Sequence, residues 1–93
     1  MSGWYSRRLA HGPNGFAALT YLRKLGGELE GLTPCDQFYR IALDVETTDI
    51  VVFIEPGHAE LAFQFGAEPC EKPQFGAGLR DVSVPRLPGG GGS

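Results

Sequence analysis

Asp44 and Glu46 stand two positions apart in the stretch Leu43-Asp44-Val45-Glu46-Thr47-Thr48. On a β-strand, side chains at i and i+2 leave the same face, so two such carboxylates can bracket a divalent metal ion and support hydrolysis. The structural reading of the same pair is an acidic hairpin tip. A second group, Arg40, Glu55 and His58, falls in one cross-strand row if the strands around it form tight hairpins. Glu55 would then orient His58 for general acid–base work. The structural reading of that row is a cross-strand ion pair beside a turn histidine. Ser6, Ser83, Cys35 and Cys70 are nucleophile types, yet no histidine–carboxylate partner can be assigned to any of them. The two cysteines show neither the CxxC nor the Cys/His spacing of a zinc site.

The Asp44-x-Glu46 stretch with its following threonines resembles the first motif of the DEDD exonucleases. That resemblance implies divalent-metal phosphodiester hydrolysis with Asp44 and Glu46 as ligands. It covers only these few residues, and Asp49 stands where the family usually has glycine. The further motifs of that family supply two more aspartates and often a histidine. Here Asp81 is the only aspartate beyond the hairpin, and His58 has no aspartate at the expected spacing. Neither a metal nor another cofactor is therefore expected, nor a catalytic residue.

These residues depend on the stretch Gln37 to Phe65, which reads as three consecutive strands. Tyr39, Ile41, Leu43 and Val45 alternate with Arg40, Ala42, Asp44 and Glu46, the period of a half-buried strand. Ile50 to Ile54 is β-branched and aromatic throughout, as a strand covered on both sides would be. Ala59, Leu61, Phe63 and Phe65 alternate again, after a Pro56-Gly57 turn signal. Pairing Val45 with Ile50 and Ile54 with Ala59 puts Ile41, Leu43, Val45, Ile50, Val52, Ile54, Ala59, Leu61 and Phe63 on one apolar face. The opposite face then carries Val51, Phe53, Ala42 and Ala62 at its centre, with Arg40, Glu55 and His58 beside them. A slip of one residue would mix the two sets.

Phe16 to Leu25 has the stripe of one amphipathic helix, with Asn14 as N-cap and Gly26-Gly27 as its stop. The preceding His-Gly-Pro-Asn-Gly lacks the spacing of a phosphate loop. Trp4 to Leu9 reads as a short edge strand or an arm. Leu29 and Leu32 anchor a connector, 66–78 is irregular, Phe75 anchors the tail, and Leu79 to Pro85 adds a weak edge strand. Cys35 and Cys70 fall at opposite ends of such a meander, so free thiols are expected. The fold class is α+β: a three- to four-stranded antiparallel meander with one amphipathic helix on one face. The domain spans 1–87, and the Gly-rich stretch at 88–93 reads as a flexible linker.

The net charge of −3 is unevenly placed. Residues 1–27 carry Arg7, Arg8, Arg23 and Lys24 and no acid, whereas all eleven acids lie beyond them. With no apolar run near a membrane-spanning length and no secretory core after Met1, a cytoplasmic location is expected and a membrane is not. The expected function is a small non-enzymatic protein-binding module acting through the outer sheet face or an edge strand. By size and charge it is analogous to phage or mobile-element inhibitors of host systems. The residues assigned to binding are Val51, Phe53, Arg40, Glu55, His58, Trp4, Arg7 and Arg8. The expected partner is a protein, a homodimer being its simplest form. Two alternatives stand beside it: a metal-dependent nuclease-like fragment using Asp44 and Glu46, and a weak nucleic-acid binder using the basic N-terminal third. Four basic residues against an acidic body make the second unfavourable.

Overall fold

The computed structural model describes residues 3–10, 15–32 and 38–82. Asn14, Cys35, Pro85 and the tail at 88–93 lie outside these, and with them the expected N-cap, the fate of the cysteine pair and the end of the last strand. The elements are β1 (Trp4–Leu9), α1 (Gly15–Leu32), β2 (Tyr39–Asp44), β3 (Ile50–Ile54), α2 (Ala59–Phe65), β4 (Glu68–Cys70) and β5 (Leu79–Asp81). One sheet has the order β4-β1-β3-β2-β5 with every neighbouring pair antiparallel. The class is α+β, as expected, with five strands and two helices. Its first six elements follow the β-α-β-β-α-β order of ferredoxin-like, split βαβ topology. The fifth strand is added beyond β2.

The β2–β3 hairpin keeps the two faces read from the sequence, at a different register. Tyr39, Ile41 and Leu43 pair with Ile54, Val52 and Ile50. The expected pairing is displaced by two residues, and an even displacement leaves every side chain on its own face. Asp44 is the cause. Its carboxylate Oδ1 accepts the backbone N–H groups of Glu46 (2.9 Å) and Thr47 (3.2 Å), and its carbonyl accepts that of Thr48 (2.7 Å). The chain therefore turns immediately after Asp44. Val45, expected inside, is thrown into the loop and is 55% exposed.

Ala59–Phe65 is a helix, not a third meander strand. Its apolar residues satisfy both periods: Ala62 and Phe65 are buried, Leu61 is half-buried, and Phe63 is 85% exposed. Pairing decides between the periods. Both edges of β3 are occupied, by β1 and β2, so no edge of it remains for a following strand. β1 is thus an interior strand, not an edge or an arm. α2 ends at Gly66 (φ +84°), where the Ala67 N–H reaches back to the Ala62 carbonyl at 2.8 Å, a Schellman-type stop.

α1 runs through Gly26 and Gly27 to Leu32 instead of stopping there. Leu25 and Leu29 are buried, and Tyr21, Leu22 and Leu32 are half-buried against the same cluster. Glycine costs about 1 kcal/mol in a helix interior. Burying one leucine stabilises by roughly 1.5–3 kcal/mol, so buried Leu29 and half-buried Leu32 together offset the pair and carry the helix onward. Both helices pack on one face of the sheet, in a core with Phe38, Ile41, Ile50, Val52 and Ile54.

Candidate binding face

Among the described residues no helix packs on the other face. Strand alternation presents Trp4, Ser6 and Arg8 from β1, Val51 and Phe53 from β3, and Arg40, Ala42 and Asp44 from β2. The register sets cross-strand rows. Glu68, Ser6, Phe53 and Arg40 form one, and Arg8, Val51, Ala42 and Asp81 form the next.

The centre of this face is apolar as expected but it is not open. Ala42, Val51 and Phe53 are buried, at 0%, 4% and 6%. The cover follows from topology. β4 and β5 lie on opposite edges of the sheet, so residues 71–78 must cross the face between them. At about 4.8 Å per strand spacing, the crossing is roughly 19 Å. Midway it lays Phe75 on Phe53, ring centroids 6.0 Å apart in an edge arrangement. Trp4, Cys70 and Leu79 pack around the same cluster. The strap is tied to the β2–β3 loop by the Val45 N–H, which donates to the Gly78 carbonyl at 3.0 Å.

Arg40 belongs to the strap, not to a row with Glu55 and His58. Its guanidinium lies 4.3 Å from the Phe75 ring centroid and donates to Asp81 Oδ2 at 3.0 Å. The expected Arg40–Glu55–His58 row does not form, because Arg40 pairs with Phe53 and the third strand is a helix. His58 instead precedes α2 with its ring 5.7 Å from that of Phe38, and the Glu55 N–H bonds the Phe38 carbonyl at 2.9 Å. Ala62, expected on this face, is buried on the helix side.

Arg8 organises the other end of the face. Its Nη1 donates to Asp44 Oδ2 at 3.0 Å and to Thr47 Oγ1 at 3.3 Å, and lies 3.5 Å from Asp49 Oδ2. Asp44 is held ionised below its ordinary range, first by the Thr47 backbone N–H, then by Arg8 and the Glu46 N–H. Both carboxylate oxygens of Asp44 thus have donors already. Glu46 lies beyond the end of β2, in the turn, so the pair does not project from one strand. Among the described residues no three His, Cys, Asp or Glu side chains gather as a metal site would require.

Arg7 points the other way. It donates to the Phe65 carbonyl at 2.9 Å and stacks 5.0 Å from the Phe65 ring, closing the end of α2. The neighbours Arg7 and Arg8 therefore serve opposite faces and form no single basic patch. The sequence reads Phe75 only as an anchor of the tail and Asp49 only as part of an acidic hairpin end of this face, and it offers Asp81 and Thr47 no role there. A lone aromatic in a Gly/Pro-rich run was the available signal for Phe75. Asp81 and Thr47 had none.

Fold and face together define a small α+β protein whose sheet is covered by helices on one side and by a crossing strap on the other. Comparison with protein-family models, with curated proteins and with solved structures finds no match to the chain. No helix among the described residues is long and apolar enough to cross a membrane.

Proposed function

We propose that the chain is a non-enzymatic protein-binding module, and that its partner lies against the strap-bearing face, touching Trp4, Arg8 and Arg40 around the site that Phe75 covers. The observation that carries this is the composition of that face. Half-buried Trp4 and Phe75 and the partly exposed guanidiniums of Arg8 (51%) and Arg40 (43%) stand over an apolar floor without a helical layer. Aromatic and arginine side chains around a dry centre are the residue types that dominate protein interfaces. Val51 and Phe53 form that floor, beneath Phe75. The two guanidiniums are already matched by Asp44, Asp49 and Asp81, which disfavours phosphate backbones as the ligand.

The test is capture from a lysate of the source cells with the wild-type chain, Arg40→Glu and Trp4→Ala as baits. A protein retained by wild type should fall at least tenfold on both variants, with unchanged far-UV circular dichroism. An identical retained set on all three baits would remove this face from consideration. Light scattering of the same samples tells whether that partner is a second copy of the chain.

A further inference from the structure

Resting on the reading that this face binds protein, we propose that residues 71–81 are a resident occupant of it. A partner displaces them with an extended segment that offers an aromatic ring and a carboxylate to Arg40. Both groups that Arg40 meets, the Phe75 ring at 4.3 Å and the Asp81 carboxylate at 3.0 Å, come from this one stretch. Glu71, Lys72, Gln74, Gly76, Ala77, Gly78, Arg80 and Asp81 are exposed, and Pro73, Phe75 and Leu79 are half-buried. The stretch is tied to the rest of the sheet by the Val45 N–H bond to the Gly78 carbonyl and the short β2–β5 pairing. Gly76 within the 74–77 turn and Gly78 just after it hold φ of +98° and +88°, where the chain bends toward β5.

The rest of the sheet stands without it. β4, β1, β3 and β2 pair with one another independently of β5, and the helix-side core draws on β1, β2, β3 and both helices, with Val82 packed against it as the tether beyond β5. Release of the strap with β5 uncovers Ala42, Val51 and Phe53 and frees the β2 edge at Ala42, Leu43 and Asp44. A partner strand added there gains main-chain hydrogen bonds and drops alternate side chains onto the floor. Arg40 supplies the selection. With Phe75 and Asp81 gone, its guanidinium stands beside an apolar surface and seeks the same pair of groups again. Arg8 differs, since its acidic partners lie at the β2–β3 hairpin and stay in place.

The experiment uses the full chain and a fluorescein-labelled peptide of its own residues 71–82 as the probe. Fluorescence anisotropy should show at least tenfold tighter binding to Phe75→Ala than to wild type, because the mutant's own strap competes poorly. Adding Arg40→Ala should remove that gain, as should alanine in place of phenylalanine in the peptide. In wild type, amide hydrogens of 76–81 should exchange at least a hundredfold faster than those of β1 and β3. Equal peptide affinity for wild type and Phe75→Ala, or exchange of the strap in step with β1, overturns the proposal. So does a strap traded between two copies, seen as a dimer that takes up no peptide. If the strap exchanges with β1 while Arg40→Glu still loses the captured protein, the binding face stands and displacement alone falls. A strap that opens while capture is unchanged removes the binding reading instead.

Discussion

Arg8 and Asp44 sit on strands that do not touch, yet the guanidinium of one donates to the carboxylate of the other at 3.0 Å. β3 lies between them, and the Arg8 side chain reaches past Val51 to the hairpin end. The contact joins β1 to the turn that ends β2, and it adds to the Thr47 N–H in lowering the Asp44 pKa.

Asp44 has its pKa lowered on folding, so folding releases protons from it. Its contribution is therefore fully present above the ordinary aspartate value of about 3.9 and is lost as pH falls through the depressed folded value. Asp44→Asn should melt below wild type at pH 7, and the gap should close as the pH is taken down through that window. In Arg8→Ala, carbon-detected carboxylate titration should show the Asp44 pKa moving up. It should remain below the ordinary value, because the Thr47 N–H is the larger cause.

Thr48 holds φ +61°, a conformation that a β-branched residue rarely adopts. Left-handed backbone costs a non-glycine residue roughly 1–2 kcal/mol, part of which glycine returns as entropy of the unfolded chain. Thr48→Gly should stabilise the protein by about 0.5–1 kcal/mol. Urea unfolding, at an unchanged m value, measures it.

Phe63 and Phe65 separate the helix from the strand that periodicity suggested. Phe63→Asn should change stability by no more than about 0.5 kcal/mol, as exposed substitutions do. Phe65→Ala should cost about 3 kcal/mol, losing the packing under α2 and the ring beneath Arg7. Comparable losses at both positions would indicate that 59–65 is not the helix described.

Gly27 is exposed within α1, and an added Cβ meets nothing within 4 Å. Gly27→Ala should raise stability by about 0.5–1 kcal/mol. Gly66→Ala, at φ +84°, should lower it by about 1 kcal/mol. Thermal melts of the two variants should shift in opposite directions.

The sequence by itself determined the two faces of 39–44 and 50–54, because alternation is a property of parity and survives any even change of register. It also determined the apolar stripe of α1, whose leucines recur at helical spacing wherever the helix ends. Tertiary structure decided the rest, through competition for partners. Ala59–Phe65 fits both periods locally and became a helix because β1 had taken the free edge of β3. Gly26 and Gly27 look like a stop, yet Leu29 finds a core beyond them. Val51 and Phe53 look open until the chain has to travel from β4 to β5. The Asp44–Glu46 pair lacks supporting carboxylates already in the sequence, but nothing local shows that Arg8, thirty-six positions away from Asp44, arrives at the same carboxylate. Such pairings depend on which strands become neighbours, and strand order is settled only when the whole sheet assembles.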